Sequence, residues 1–189
     1  MENTEKTPGA LLFLDQLVKS QGVTHKQLAA LIGVTPQRIS YIFNKADDCF
    51  LSRACEIARS VGYDLKVNLV PNAGKIRTTE INLEGYRHND VDVRINGKIL
   101  VKRKPQSATR YPDYIQNCPT DSRLHFLAEF IKKENLLLYE LAGSVGLSGS
   151  FFNYTFKNDD ILVSILYRIA QAYGCDISWS LTRLPKTKA

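Results

Sequence analysis

Residues 24–42 read Thr24-His25-Lys26-Gln27-Leu28-Ala29-Ala30-Leu31-Ile32-Gly33-Val34-Thr35-Pro36-Gln37-Arg38-Ile39-Ser40-Tyr41-Ile42. Thr24 has the chemistry of a helix N-cap, and Gln27 three residues later completes a capping box. The short helix that follows is expected to bury Leu28, Leu31 and Ile32. Gly33 stops it in a left-handed backbone conformation that a side chain would penalise. Thr35 is a second N-cap, and Pro36 takes the first helical position, where its missing N–H costs nothing. The next helix turns Ile39, Ile42 and Phe43 to one face. Two short capped helices across a glycine turn form a helix-turn-helix.

Outward from this stretch, the apolar positions Leu11, Leu14, Leu17 and Val18 predict a preceding helix ended by Gly22. Downstream, Asp47 or Asp48 is expected to cap a fourth helix that turns Ile57, Ala58 and Val61 inward and closes at Gly62. Asp64–Val70 then alternates Leu65, Val67 and Leu69 with polar residues, the pattern of a half-buried strand.

The whole pattern occurs twice. At a spacing of 113, Phe13, Leu14, Leu28, Ala29, Gly33, Tyr41 and Phe43 match Phe126, Leu127, Leu141, Ala142, Gly146, Tyr154 and Phe156. At a spacing of 112, Asp47, Asp48, Ser52, Ile57, Gly62 and Leu69 match Asp159, Asp160, Ser164, Ile169, Gly174 and Leu181. The predicted organisation is a first domain at 8–71, a basic connecting segment at 72–120 and a divergent second domain at 121–185. A unit of about 60 residues buries only roughly 60% of its unfolded surface. Packing of the repeats on each other or on the connector is therefore expected.

The first repeat resembles the Cro/cI-type, phage-repressor-like helix-turn-helix family, whose pattern T-x-x-x-L-A-x-x-x-G-V-S/T-x-x-x-I-S-x-I it meets at every fixed position. The resemblance covers both repeats and leaves out 72–120. It implies a mainly α fold with a small β component: two lambda-repressor-like domains, each ending in a strand, joined by a segment containing a β-hairpin. It also implies sequence-specific binding of double-stranded DNA, as in a transcriptional regulator or repressor. The recognition helix, at about 35–44, would lie in the major groove. Carried over by position, Pro36, Gln37, Arg38 and Tyr41 are the base readers. Gln37 suits an adenine edge and Arg38 a guanine. Thr24, His25, Thr35, Ser40, Asn44 and Lys45 line the same surface, with Thr24, His25, Ser40 and Asn44 toward phosphates. Pro36 departs from the usual polar residue and offers a base only apolar contact.

The second repeat departs further. Leu137, Leu138 and Tyr139 stand where Thr24, His25 and Lys26 stand in the first, and Phe151 replaces Arg38. An apolar cluster of Leu137, Leu138, Tyr139 and Phe151 facing solvent would mark a protein interface. Two readings stay open for this repeat. One is self-association or packing on the rest of the chain; the other is a second DNA site through Ser148, Ser150, Asn153, Tyr154 and Lys157. The chain then acts as a homodimer or as an intramolecular pseudo-dimer. A different class of function, a protein-interaction module such as an antitoxin or adaptor on the same scaffold, also fits.

The 189 residues carry a formal charge of +6. Residues 1–70 and 121–189 are each net +1, while 71–120 hold nine Lys/Arg against five Asp/Glu. The basic excess therefore lies between the repeats and suits a polyanionic partner. In the connector, Asn96-Gly97 separates two alternating runs, which predicts a hairpin over about Asp90–Lys102. Arg94, Lys98, Lys102, Arg103 and Lys104 are its candidate phosphate contacts, or simply edge-strand charges that prevent aggregation. Lys75–Leu83 is a candidate further strand, and one mixed sheet could staple the repeats together. Pro105–Pro119 reads as a linker pinned by Tyr111, Tyr114 and Ile115.

No catalytic constellation, phosphate loop or metal-ligand spacing is found, so no enzyme, metal or cofactor is expected. Cys49, Cys55, Cys118 and Cys175 form no C-x-x-C pair and read as free thiols. The polar N-terminus has no targeting signature, and no 18-residue apolar run exists. A cytoplasmic address is expected.

Overall fold

The computed structural model describes residues 10–72, 94–95, 98–99 and 111–185. It is mainly helical with small antiparallel sheets. The first repeat forms α1 (Leu12–Ser20), α2 (His25–Leu31), α3 (Pro36–Tyr41), a π-helical turn (Ile42–Ala46), α4 (Leu51–Ser60) and β1 (Tyr63–Pro71). The connector supplies β2 (Arg94–Ile95), β3 (Lys98–Ile99) and the short helix α5 (Asp113–Gln116). The second repeat forms α6 (His125–Lys133), α7 (Leu138–Ser144), α8 (Gly149–Asn158), α9 (Val163–Ala172) and β4 (Cys175–Arg183).

Local chemistry explains most of these elements. Gly33 and Gly146 sit in the left-handed region, at φ +68° and +65°. Asp47 and Asp159 are also left-handed, at φ +46° and +49°, and end the third helix of each repeat. Each then caps the first helix of its own repeat. The Asp47 carboxylate accepts from the Ala10 and Leu11 backbone N–H groups at 3.0 and 3.2 Å. Asp159 accepts from the Ser122 hydroxyl at 2.6 Å and from the Leu124 N–H at 3.3 Å.

Asp47 and Asp48 therefore do not cap α4, contrary to the sequence expectation. Asp48 caps the other repeat: its carboxylate accepts from the Ser164 N–H at 3.0 Å and the Ser164 hydroxyl at 2.6 Å, at the start of α9. Asp160 returns the contact at α4, accepting from the Ser52 N–H at 2.9 Å and the Ser52 hydroxyl at 2.5 Å. Each helix start leaves backbone donors without an intrahelical partner. Each repeat's carboxylate satisfies the other's donors.

The chain divides into two compact units, and these follow packing rather than the repeat boundaries. The first comprises the described residues of Met1–Asn68, Asp160–Tyr167 and Ile177–Ala189; the second those of Leu69–Asp159 and Arg168–Asp176. In the first unit the core holds Leu14, Val18, Leu28, Ala29, Ile39, Ile57 and Leu65, joined by Ile161, Val163 and Leu166 from repeat 2. Burying one such side chain is worth about 2 kcal/mol, so the borrowed residues stabilise this unit more than their caps do. Trp179 of β4 stacks on Phe13 at 4.1 Å and donates to the Tyr167 hydroxyl at 3.3 Å. In the second unit Leu127, Ile131, Leu141, Phe152 and Ile169 form the core, with Ile115 of α5 fully buried.

β1 pairs with β4, and β2 pairs antiparallel with β3 as Arg94 with Ile99 and Ile95 with Lys98. This antiparallel pairing is the part of the expected Asp90–Lys102 hairpin that falls within the described residues. Among the described residues β2 and β3 form a sheet of their own, and the repeats are joined by the pairing of β1 with β4. The candidate strand Lys75–Leu83 lies outside the described residues. Tyr111, Tyr114 and Ile115 do pin the end of the connector, the last two from α5: the Tyr111 hydroxyl donates to the Ile131 carbonyl at 3.4 Å, and Tyr114 stacks on Phe156 at 5.8 Å. Leu31 is 58% exposed, not buried. The inner face of α2 is centred between Leu28 and Ala29, and at about 100° per residue Leu31 falls roughly 110° away from it.

Candidate nucleic-acid interface

The geometry around α2 and α3 follows from their caps. The Thr24 hydroxyl accepts from the Gln27 N–H at 3.3 Å, and Gln27 Oε1 accepts from the Thr24 N–H at 2.9 Å. Thr35 accepts from the Arg38 N–H at 3.3 Å and sets Pro36 as the first residue of α3. The α3 backbone runs on through the π-helical turn to Asp47. Ile39 and Ile42 anchor its inner face.

Thr24, Thr35, Pro36, Gln37, Arg38, Ser40, Tyr41, Asn44 and Lys45 are all exposed. Gln37, Arg38 and Tyr41 occupy one outward strip of α3. The Arg38 guanidinium lies 5.9 Å from the centre of the Tyr41 ring, a cation–π distance that orients the fork without using its five donors. Asn44 donates to the Ser40 hydroxyl at 3.1 Å, which ties those two side chains together one turn further on.

His25 differs from the other nine. It is half-buried, its Nε2 lies 3.1 Å from Asp15, and its ring stacks on Phe43 at 5.1 Å. It fastens the start of α2 to α1 and to the end of the α3 backbone. Burial pulls the Asp15 carboxyl upward, but hydrogen bonds from Lys19 and His25 outweigh it, and its pKa lies below the ordinary value. Asp15 was not legible in the sequence as part of this surface. Its repeat equivalent is Ala128, so comparison of the repeats gave no signal for it.

The same positions in repeat 2 are built differently. Leu137 has no side-chain acceptor; only the Glu140 half of the capping box remains, accepting from the Leu137 N–H at 3.0 Å. Ser148 makes no cap bond to α8, and its hydroxyl instead lies 3.0 Å from that of Ser150. Asn153 accepts from the Tyr114 hydroxyl of α5. Tyr154 is 70% exposed, and Ser150 and Lys157 are exposed. Leu137, Leu138, Tyr139 and Phe151 are each half-buried, Phe151 edge-on to Phe152 at 5.3 Å, so they do not form a fully solvent-facing patch. Where His25 stacks on Phe43 in repeat 1, Tyr114 stacks on the equivalent Phe156.

Arg94 pairs with Ile99 and Lys98 with Ile95 in the β2–β3 ladder. Lys102, Arg103 and Lys104 lie outside the described residues. Cys49, Cys55 and Cys175 are buried thiols outside any disulfide and Cys118 a half-buried one. Burial, aided by Asp48 and Asp160, pushes the Cys49 pKa up to about 12, so it is inert as a nucleophile. Among the described residues no cluster of ligating side chains could hold a metal, and no helix is long and apolar enough to cross a membrane. No family model, curated protein or solved structure matches the chain.

Proposed function

We propose that this protein is a sequence-specific double-stranded DNA binder of the helix-turn-helix type, a transcriptional regulator or repressor. The observation that carries the reading is the exposed strip Gln37, Arg38 and Tyr41 on a helix whose Thr35 cap is made. Two short capped helices across a left-handed glycine are the docking element of this class, and the N-terminal residues of the second helix reach base edges. Gln37 and Arg38 carry the donors and acceptors that such readout needs. The net positive charge of residues 71–120 supports a polyanionic partner.

His25 in this reading is a positioning residue, because Asp15 already engages its ring. Repeat 2 contributes by completing the first unit through Asp160–Tyr167 and Ile177–Ala189. Its own α8 lacks a basic or amide reader at the positions matching Gln37 and Arg38.

The test is selection of a duplex from a random library, followed by binding across a salt series. A reader that neutralises several phosphates loses affinity steeply as salt rises. Arg38→Ala is expected to cost roughly 1–3 kcal/mol on the selected site and to relax one base position. Unchanged binding of every duplex by Arg38→Ala and Gln37→Ala would overturn the reading. The rival, a protein-interaction module, would leave the library unselected.

A further inference from the structure

A two-fold interface is self-complementary: if residue i of one partner meets j of the other, j meets i in return. The two repeats follow that rule within one chain. Asp48 accepts from Ser164, and the equivalent Asp160 accepts from the equivalent Ser52. The Val163 N–H donates to the Cys49 carbonyl at 2.9 Å, and its equivalent, the Leu51 N–H, donates to the Ile161 carbonyl at 2.8 Å. Phe50 and Leu162, also equivalents, face each other across an antiparallel bridge. At the strand ends, the Leu184 N–H donates to the Gly62 carbonyl at 2.9 Å and the Asn72 N–H to the Gly174 carbonyl at 3.0 Å. Under the 112-residue spacing, 62 maps on 174 and 72 on 184.

Each repeat therefore carries both halves of one self-complementary surface. Both oxygens of Asp48 and both of Asp160 are engaged inside the chain. A surface that would pair two copies of a single repeat is filled by the chain itself.

We infer that the chain is a closed pseudo-dimer, which meets DNA as a single molecule on a site without two-fold symmetry. The second half of this statement rests on the DNA-binding reading above. The site lacks symmetry because the equivalent helices are unlike: Gln37, Arg38 and Tyr41 stand against Ser150, Phe151 and Tyr154. One chain per duplex follows from a pairing surface that is already saturated.

The experiment is light scattering on the full chain, alone over a wide concentration range and then with the duplex selected from a random library. The expected result is a mass of 21.3 kDa when free, one chain per duplex, and a selected site with no palindrome. A free mass that doubles with concentration, or two chains on a palindromic duplex, would overturn the inference while leaving the DNA reading intact. A single-chain mass with no duplex selected would support closure and overturn the DNA reading. A full-length Asp48→Ala/Asp160→Ala variant sharpens the point. It removes the exchanged acceptors within and between chains alike, so its urea midpoint should fall while its mass stays that of one chain. A variant with an unchanged midpoint would contradict the assignment of that surface.

Discussion

The α2–α3 pair and the α7–α8 pair share a backbone plan and differ in what they do with its ends. Both keep a buried leucine and alanine, Leu28 with Ala29 and Leu141 with Ala142, and both turn on a left-handed glycine. In repeat 1 the two threonine caps are made and the outward face is polar. In repeat 2 the first cap residue is leucine, Ser148 bonds a neighbouring serine instead of the helix, and Tyr114 of the connector engages Asn153. The buried residues of these two helix pairs recur, whereas their N-caps and the rest of their outward faces, Tyr41 and Tyr154 apart, diverge.

The largest effects should fall equally on both repeats. Leu28→Ala and Leu141→Ala each remove a fully buried side chain and should each destabilise by about 2–5 kcal/mol in urea unfolding. A small loss at one of them would break the claim that the two cores are equivalent.

The exchanged caps come next. Asp48→Ala and Asp160→Ala should each cost about 0.5–2 kcal/mol, and by similar amounts, because each removes the acceptor for one serine N–H and one hydroxyl. Thermal melts of the two variants would separate if only one of the caps were formed. The threonine and serine caps should then split the repeats. Thr35→Ala should lose about 1 kcal/mol, whereas Ser148→Ala should lose almost nothing, since it holds no helix N–H.

The smallest effect is the pH dependence that Asp15 gives repeat 1. Asp15 has a folded pKa below its ordinary value, so its contribution is present above the unfolded value, near pH 4, and is lost as pH falls through the folded one. The stability gap between wild type and Asp15→Asn should be open at pH 7 and narrow as the pH is lowered toward 2. A gap of the same size at both pH values would show that Asp15 acts by packing alone. Ala128 at the equivalent position offers no such term.

What was legible in the sequence was local. Thr24, Gln27, Gly33, Thr35 and Pro36 act within four residues of themselves, and their type and spacing suffice to place α2 and α3. The Asn96-Gly97 signal similarly anticipated the antiparallel pairing of β2 with β3. What was not legible acts across the chain. Asp48 reaches Ser164 over 116 residues and Asp160 reaches Ser52 over 108, and nothing in a helix pattern says whose donors a carboxylate will meet. The repeat alignment retained all four residues, which was a signal of pairing. It gave no indication that the pairing was reciprocal. The partners of His25 were hidden for a related reason: its engagement depends on Asp15 ten residues earlier and on the Phe43 ring.

The central claim is that repeat 1 reads DNA and repeat 2 does not. It is tested most directly by equilibrium binding of the selected duplex to two full-length variants, Gln37→Ala/Arg38→Ala and Ser150→Ala/Tyr154→Ala. The first should weaken binding by at least about tenfold, the lower end of roughly 1–3 kcal/mol for a lost base contact, and the second should match wild type. Equal losses in both, or a loss only in the second, would contradict the account.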